Sequence, residues 1–280
     1  MSIKTNFDFE RDVIPLLPRV AKPARYTGGE YNSVVKTESR LDFVLCYPDV
    51  YEIGMSNLGL RILYQALNEV EGIAAERAYV PWPDLATLLR EKGIPLWTLE
   101  RHRPLAEADL VGITLQYEMT FTNILLLLEL SRIPLLAADR RDGDPIIVGG
   151  GPCAFNPAPL APWFDIFVLG DGDLSVVEVA ETVRAGKEAG QSRAEIVAAL
   201  CRLPYVWAPE LKREARRSIV GDLADAPFPV RQLVPNVRAI QDRGLIEVSR
   251  GCTNGCRFCH AGMTYRPVRE RTPDDLVALA

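Results

Sequence analysis

Histidine is nearly missing from this sequence: His102 and His260 are the only two among 280 residues. His102, set between Arg101 and Arg103, reads as a surface residue, and no clear general acid or base stands out elsewhere. A basic surplus is missing as well. Lys and Arg number 32 against 37 Asp and Glu, a net charge of −5, so nothing neutralises a phosphate backbone and nucleic acid is not indicated as a partner. The local group Arg266, Arg269 and Arg271 reads as a solvated or substrate-facing loop. Long apolar runs are absent too. The most apolar stretch, Ile124 to Leu128, is broken by Glu129 and falls far short of the roughly 20 residues a membrane span needs. The N-terminus has no signal-peptide pattern. No membrane is therefore expected as a partner, and a cytoplasmic location follows. Six cysteines are too few for a disulfide scaffold in a chain of this size, and internal repeats and low-complexity tracts are absent.

What remains is a composition that is 48% hydrophobic and 25% charged, ordinary for a globular chain able to bury a core. Residues 1–40 hold scattered prolines and the pair Gly28-Gly29, and read as an extended arm packed on the domain that follows. Between 41 and 202 apolar strands alternate with helical spacings. Strands are expected at Asp42–Tyr47, Ala74–Val80, Leu96–Thr98, Leu110–Leu115, Ile146–Val148 and Ile166–Leu169. Helices are expected at Leu58–Asn68, Asp84–Lys92, 120–131, Leu174–Ala185, and from a Ser192/Glu195 capping box to about Leu200. The helix over 120–131 is apolar almost all round, which predicts burial between other elements. Short βα connections imply a mostly parallel, doubly wound α/β fold of about five strands, which takes ligands at the carboxyl ends of its strands. The glycine-rich loops at 149–151 and 170–172 lie at such ends, where a plain tight turn is the first reading. Residues 203–241 are punctuated by proline and carry a charged stretch from Lys212 to Arg217, as expected of a linker. A further strand, Leu245–Ser249, runs straight into the cysteines.

Cys46, Cys153 and Cys201 are isolated and read as small buried apolar residues. The other three stand close together in Arg250-Gly-Cys252-Thr-Asn-Gly-Cys256-Arg-Phe-Cys259-His260. Thiolates are the standard ligands of iron–sulfur clusters, and close spacing lets one loop wrap a cluster. Gly251 and Gly255 supply the backbone freedom for such a wrap. Three thiolates leave one iron of a 4Fe-4S cluster without a protein ligand, unless Cys46, Cys153 or Cys201 lies beside the loop in space. The competing arrangement is structural zinc on the three cysteines and His260. Zinc ligands usually come as two separated pairs, however, and the side chains of adjacent Cys259 and His260 tend to diverge.

With Phe258 just before its last cysteine, this loop resembles the cluster motif of the radical S-adenosylmethionine superfamily. The resemblance implies that Cys252, Cys256 and Cys259 are the ligands of a 4Fe-4S cluster and that Phe258 lies beside the adenine of S-adenosylmethionine. It also implies reductive cleavage of S-adenosylmethionine to begin radical chemistry on an unknown substrate, with an electron donor such as flavodoxin or ferredoxin. The stretch Ala261 to Arg271 is similar to a subgroup known only as radical SAM proteins. Thr272-Pro273-Asp274-Asp275 opens a helix, so residues 242–280 are expected to be the first βα unit of that family's partial (β/α) barrel. Such a barrel needs roughly 200 residues or more. The chain is therefore expected to be a piece of a longer enzyme, inactive by itself.

The α/β domain resembles the flavodoxin-like cobalamin-binding domain found before many such cores. Asp49-Val-Tyr51-Glu-Ile-Gly54 has the outline of its Asp-x-His-x-x-Gly signature, while Thr114, Gly149 and Gly150 fall roughly where its Ser and Gly-Gly elements occur. Tyr51 stands in place of the cobalt-ligating histidine, and tyrosine is a poor cobalt ligand, so the resemblance admits cobalamin without ligation from this position. The alternative is a cofactor- or partner-binding α/β module whose metal site serves structure or electron transfer.

Overall fold

The computed structural model describes residues 6–211 and 214–280. Lys212 and Arg213, from the expected charged stretch, lie outside the described residues. The chain begins with a one-turn helix α1 (Phe9–Asp12) and short 3-10 turns to Arg25. It then alternates through β1 (Leu41–Tyr47), α2 (Tyr51–Gly54), α3 (Leu58–Asn68), β2 (Ile73–Tyr79), α4 (Pro83–Lys92), β3 (Leu110–Thr114), α5 (Phe121–Leu130), β4 (Ile146–Gly150) and β5 (Ile166–Val168). Two helices, α6 (Gly172–Glu188) and α7 (Arg193–Leu200), lead to β6 (Val206–Trp207).

Local chemistry explains the helix ends. The Asn57 side chain accepts a hydrogen bond from the Leu60 amide at 2.8 Å and starts α3. Pro83 occupies the first turn of α4, and Gly93 stops it at φ +63°. The Ser192/Glu195 capping box of α7 is present.

The sheet order is β2-β1-β3-β4-β5-β6. The first five strands are parallel and β6 closes the edge antiparallel to β5. Strand order reverses between β1 and β3, the switch point of a doubly wound fold. Helices α4 and α5, with the arm residues Phe9, Val13 and Leu16, cover one face. Helices α3, α6 and α7 cover the other. The expected fold class is the observed one.

Details differ. In place of a strand at Leu96–Thr98 there is a single bridge between Trp97 and Pro104, because the run is too short to extend a ladder. The linker expected over 203–241 begins inside the sheet, since Val206 and Trp207 form β6. Helix α5 buries Ile124, Leu127, Leu128 and Leu130 but leaves Thr122 and Glu129 exposed. It is covered on one side, with Glu129 paired outward to Arg90 at 2.6 Å.

The arm is built into the molecule. Arg77 on β2 donates to Glu30 of the arm (2.8 Å) and to Glu100 (2.6 Å), all three side chains being sealed from solvent. The Tyr51 hydroxyl donates to Glu30 (2.9 Å) and accepts from the Asn236 amide (2.9 Å).

The C-terminal segment follows as β7 (Ser249–Arg250), α8 (Ala261–Thr264), β8 (Arg269–Glu270) and α9 (Pro273–Leu279). The strand expected over Leu245–Ser249 shortens to Ser249–Arg250 and pairs antiparallel with β8. Residues 245–248 belong to no ladder among the described residues, although the Val248 carbonyl accepts from the Arg271 amide at 2.9 Å. Between the cysteine loop and the helix expected at Thr272 the structure inserts α8 and β8, and Thr272 caps α9 through a reciprocal box with Asp275.

Candidate functional site

A cavity of about 420 Å³ opens between the sheet and helices α3 and α6. Its floor is the α3/α6 face of the strands: Phe43 and Leu45 of β1, Gly112 and Thr114 of β3, Val148 and Gly150 of β4. Glycine at 112 and 150 leaves the floor low, which is why a space persists between sheet and helix. A β-carbon at Gly112 would come within 2.7 Å of the Phe43 ring. Val176 and Val179 of α6 form the apolar roof, and the rim is polar, with Asn57, Gln116, Asp171, Asp173 and Ser175. Gln116 donates to the Thr114 hydroxyl at 2.7 Å.

The remaining wall comes from the run into the cysteines: Glu247, Ser249, Arg250 and Gly251, with Tyr265. Arg250 donates to both carboxylate oxygens of Glu247, at 2.7 and 2.9 Å, and to Asp173. Arg269 donates to Asp171 and to the Val220 carbonyl (2.8 Å). Burial pushes the Asp173 carboxyl above its ordinary range, against the pull of Arg250. Arg271 is buried over the Phe228 ring at 5.5 Å, with its guanidinium 3.7 Å from Glu247.

The sequence-flagged positions separate into groups. Thr114 and Gly150 line the cavity, whereas Asp49, Tyr51, Gly54 and Gly149 do not. Gly149 faces the opposite layer, where a β-carbon would sit 2.8 Å from the Phe167 ring. Asp49, at the end of β1, accepts from the Tyr117 hydroxyl at 3.2 Å. Gly54 lets α2 press on β2, since a β-carbon there would lie 2.2 Å from the Tyr79 ring. Tyr51 is buried against the arm, its hydroxyl occupied on both sides. His102 stacks on Phe9 at 3.7 Å, with Nε2 2.9 Å from the Thr27 carbonyl.

Cys252, Cys256 and Cys259 stand on one excursion that leaves the cavity wall at Gly251 and returns to it at Tyr265. Cys256 is exposed and the other two are half-buried. Among the described residues no group of three His, Cys, Asp or Glu side chains is drawn together around a metal position. As a donor set the loop fits an iron–sulfur cluster. It offers three thiols on an open loop, and Gly255 has nothing near its missing side chain. Its entry is fixed at Gly251, where φ is +92° and a β-carbon would meet the Pro267 and Tyr265 carbonyls at 2.7 Å. Phe258 is 92% exposed, free of any packing role. Cys46 is sealed in β1 and burial pushes its thiol up strongly. Cys153 is buried in a 3-10 turn packed near α8, and burial pushes its thiol up to about 11.

Sequence reading missed the aspartates of the Gly170-Asp-Gly-Asp173 loop, which meet the arginines flanking the cysteines. The signal available was their place at the entry of a helix, where carboxylates are favoured.

Comparison with known proteins places the α/β domain in a family. A model described as radical SAM proteins, N-terminal, matches residues 59–209, from α3 to just beyond β6. An uncharacterized protein of Methanocaldococcus jannaschii is 27% identical over 239 residues, 84% of this chain and 44% of the relative. An uncharacterized methyltransferase of Pyrococcus horikoshii is 22% identical over 165 residues, 57% of this chain and 33% of the relative. The chain thus spans less than half the length of either. Among solved structures, the radical S-adenosylmethionine methyltransferase TsrM from Kitasatospora setae, with tryptophan and a SAM analogue bound, aligns with 85% of this chain and 44% of its own. The identity is 19% and the TM-score 0.48. The family model covers more than half of the sequence, and on that match the chain belongs to the radical SAM proteins, as their N-terminal domain family.

Proposed function

We propose that this protein works as a radical SAM enzyme, holding a 4Fe-4S cluster on Cys252, Cys256 and Cys259 and taking S-adenosylmethionine beside it. The observation that carries the reading is a shared wall: the residues leading into Cys252, from Glu247 to Gly251, also close the cavity at the switch point of the sheet. When bound, the cluster supplies the electron that cleaves S-adenosylmethionine reductively, its own electron coming from a donor such as flavodoxin or ferredoxin. The chain's residues do the rest. Three thiolates leave one coordination position free of protein, and exposed Phe258 is available to lie against the adenine. The apolar floor and polar rim of the cavity suit part of a bulky amphipathic cofactor. Cobalamin fits this description, with Thr114 and Gly150 lining its space. Tyr51 offers cobalt nothing, because its hydroxyl is committed to Glu30 and Asn236. The name of the Pyrococcus relative makes a methyl group the first transferred group to look for.

The test uses the full-length protein, reconstituted with iron and sulfide without oxygen and reduced with S-adenosylmethionine present. Formation of 5′-deoxyadenosine or S-adenosylhomocysteine is expected, with loss of both in Cys252→Ala, Cys256→Ala and Cys259→Ala. Visible absorbance of the purified protein reports cobalamin separately. An intact cluster that yields neither product would instead favour a binding or electron-transfer module.

A further inference from the structure

The cysteine loop is closed at its neck, and both sides of the neck are tied to one turn of the α/β domain. Arg250 and Arg269 are direct partners in the β7–β8 pairing, so residues 251–268 form a single excursion between them. Like charges set opposite each other across a strand pair repel unless anions compensate. The entry of α6 supplies those anions: Asp173 accepts from Arg250, and Asp171 from Arg269. All four side chains are 10% exposed or less. Asp171 is itself held by the Val220 amide at 2.9 Å and lies 3.7 Å from Arg250. At this burial, losing Asp171 strips Arg269 of the carboxylate that pairs with it, and losing Asp173 leaves Arg250 held by Glu247 of its own run, with Asp171 at 3.7 Å, so each aspartate ties its arginine to the entry of α6. Asp171, Asp173, Arg250 and Gly251 also line the cavity, so the same contacts set the loop relative to whatever the cavity holds.

We propose that Asp171 and Asp173 are positioning residues for the cysteine loop, acting through Arg269 and Arg250 to fix where Cys252, Cys256 and Cys259 stand relative to the cavity. Neither aspartate is a ligand. The seat follows from the geometry of this chain, and only its use for a cluster rests on the function proposed above.

The experiment follows Asp171→Asn, Asp173→Asn, the double variant and the conservative Asp173→Glu in the full-length protein. Trypsin cleavage is timed by mass spectrometry at two exposed arginines, Arg257 in the loop and Arg141 on a remote turn. Cleavage after Arg257 should rise about tenfold or more in the Asn variants, with the Arg141 bond unchanged and Asp173→Glu close to wild type. In reconstituted protein the same Asn variants should keep their iron. They should nonetheless lose the change that S-adenosylmethionine produces in the electron paramagnetic resonance of the reduced cluster. An unchanged Arg257 rate overturns the proposal, and so does equal acceleration at both bonds, which would mean general unfolding. Wild-type protein that takes up no iron would overturn the cluster reading alone, leaving the protease result to decide the positioning role.

Discussion

Among the described residues Arg77 is the largest side chain fully removed from solvent, and it lies between Glu30 and Glu100 with its head also 5.1 Å from the Tyr64 ring. Burial pushes the Glu100 carboxyl above its ordinary range even with this partner beside it. Arg77→Leu leaves two buried carboxylates without a cation and should cost about 3–5 kcal/mol in denaturant unfolding. The sign of its pH dependence follows. A carboxyl raised in the folded state favours folding while protonated and loses that contribution as pH rises through its folded value. The deficit of Arg77→Leu should therefore be smaller near about pH 5 than near about pH 8. Equal deficits at both would remove the buried-charge explanation. Gly54 makes a simpler case. A β-carbon 2.2 Å from the Tyr79 ring forces α2 off β2, so Gly54→Ala should lower stability by about 1–3 kcal/mol, read from the same unfolding curves.

At the scale of elements, strand alternation separates two adjacent glycines. Gly149 and Gly150 end β4 on opposite faces, and only Gly150 looks into the cavity, with no atom closer than 3.9 Å to its missing β-carbon. Gly150→Leu should fold with a stability change below about 1.5 kcal/mol while reducing hydroxocobalamin uptake by the full-length protein. Gly149→Ala, which meets the Phe167 ring, should lose stability and leave uptake per folded molecule unchanged. Absorbance titration beside thermal unfolding distinguishes these outcomes. The contrast also shows what the sequence made legible. The pair of glycines was visible as a strand end, but which one faces the ligand depends on pleat and register. Buried parallel strands such as Leu41–Tyr47 and capped helices such as α3 and α7 declare themselves through local pattern and end chemistry. Strand β6 did not, because two residues take their conformation from the edge of β5. The run 245–248 looked like a strand by composition, yet its main chain is held by the Gln232 side chain and by a single bond from the Arg271 amide to the Val248 carbonyl in place of a ladder. The cysteine spacing was plain, since ligand chemistry is local. Asp171 and Asp173 looked like turn residues until their partners, some 80 to 100 positions later, were beside them.

On the scale of the whole molecule, the arm and the proline-rich stretch after β6 close over the same side of the α/β domain. Tyr31 pairs with Val234, Asn32 donates to the Gln232 carbonyl at 2.8 Å, and Tyr51 joins Glu30 to Asn236. The arm also carries apolar groups into the core beside α4: Val13, Leu16 and Phe9, whose ring meets Trp97 edge-on at 5.6 Å. Trp97 donates its indole N–H to the Tyr26 carbonyl at 3.1 Å, so its surroundings are made largely by the arm. Removing residues 1–36 would withdraw the Glu30 carboxylate from Arg77, uncover that apolar face and open the indole to water. Each of these is costly in a domain whose total stability is about 5–15 kcal/mol. The truncated protein should therefore aggregate or elute as an expanded species in size exclusion, with tryptophan emission shifted to the red. The milder Phe9→Ala should keep the fold, lose about 3–5 kcal/mol at most and shift emission slightly. A truncated chain that elutes compactly with unshifted emission would mean that the α/β domain completes its core without the arm, and the ties through Glu30 and Tyr51 would then be attachments to a finished fold.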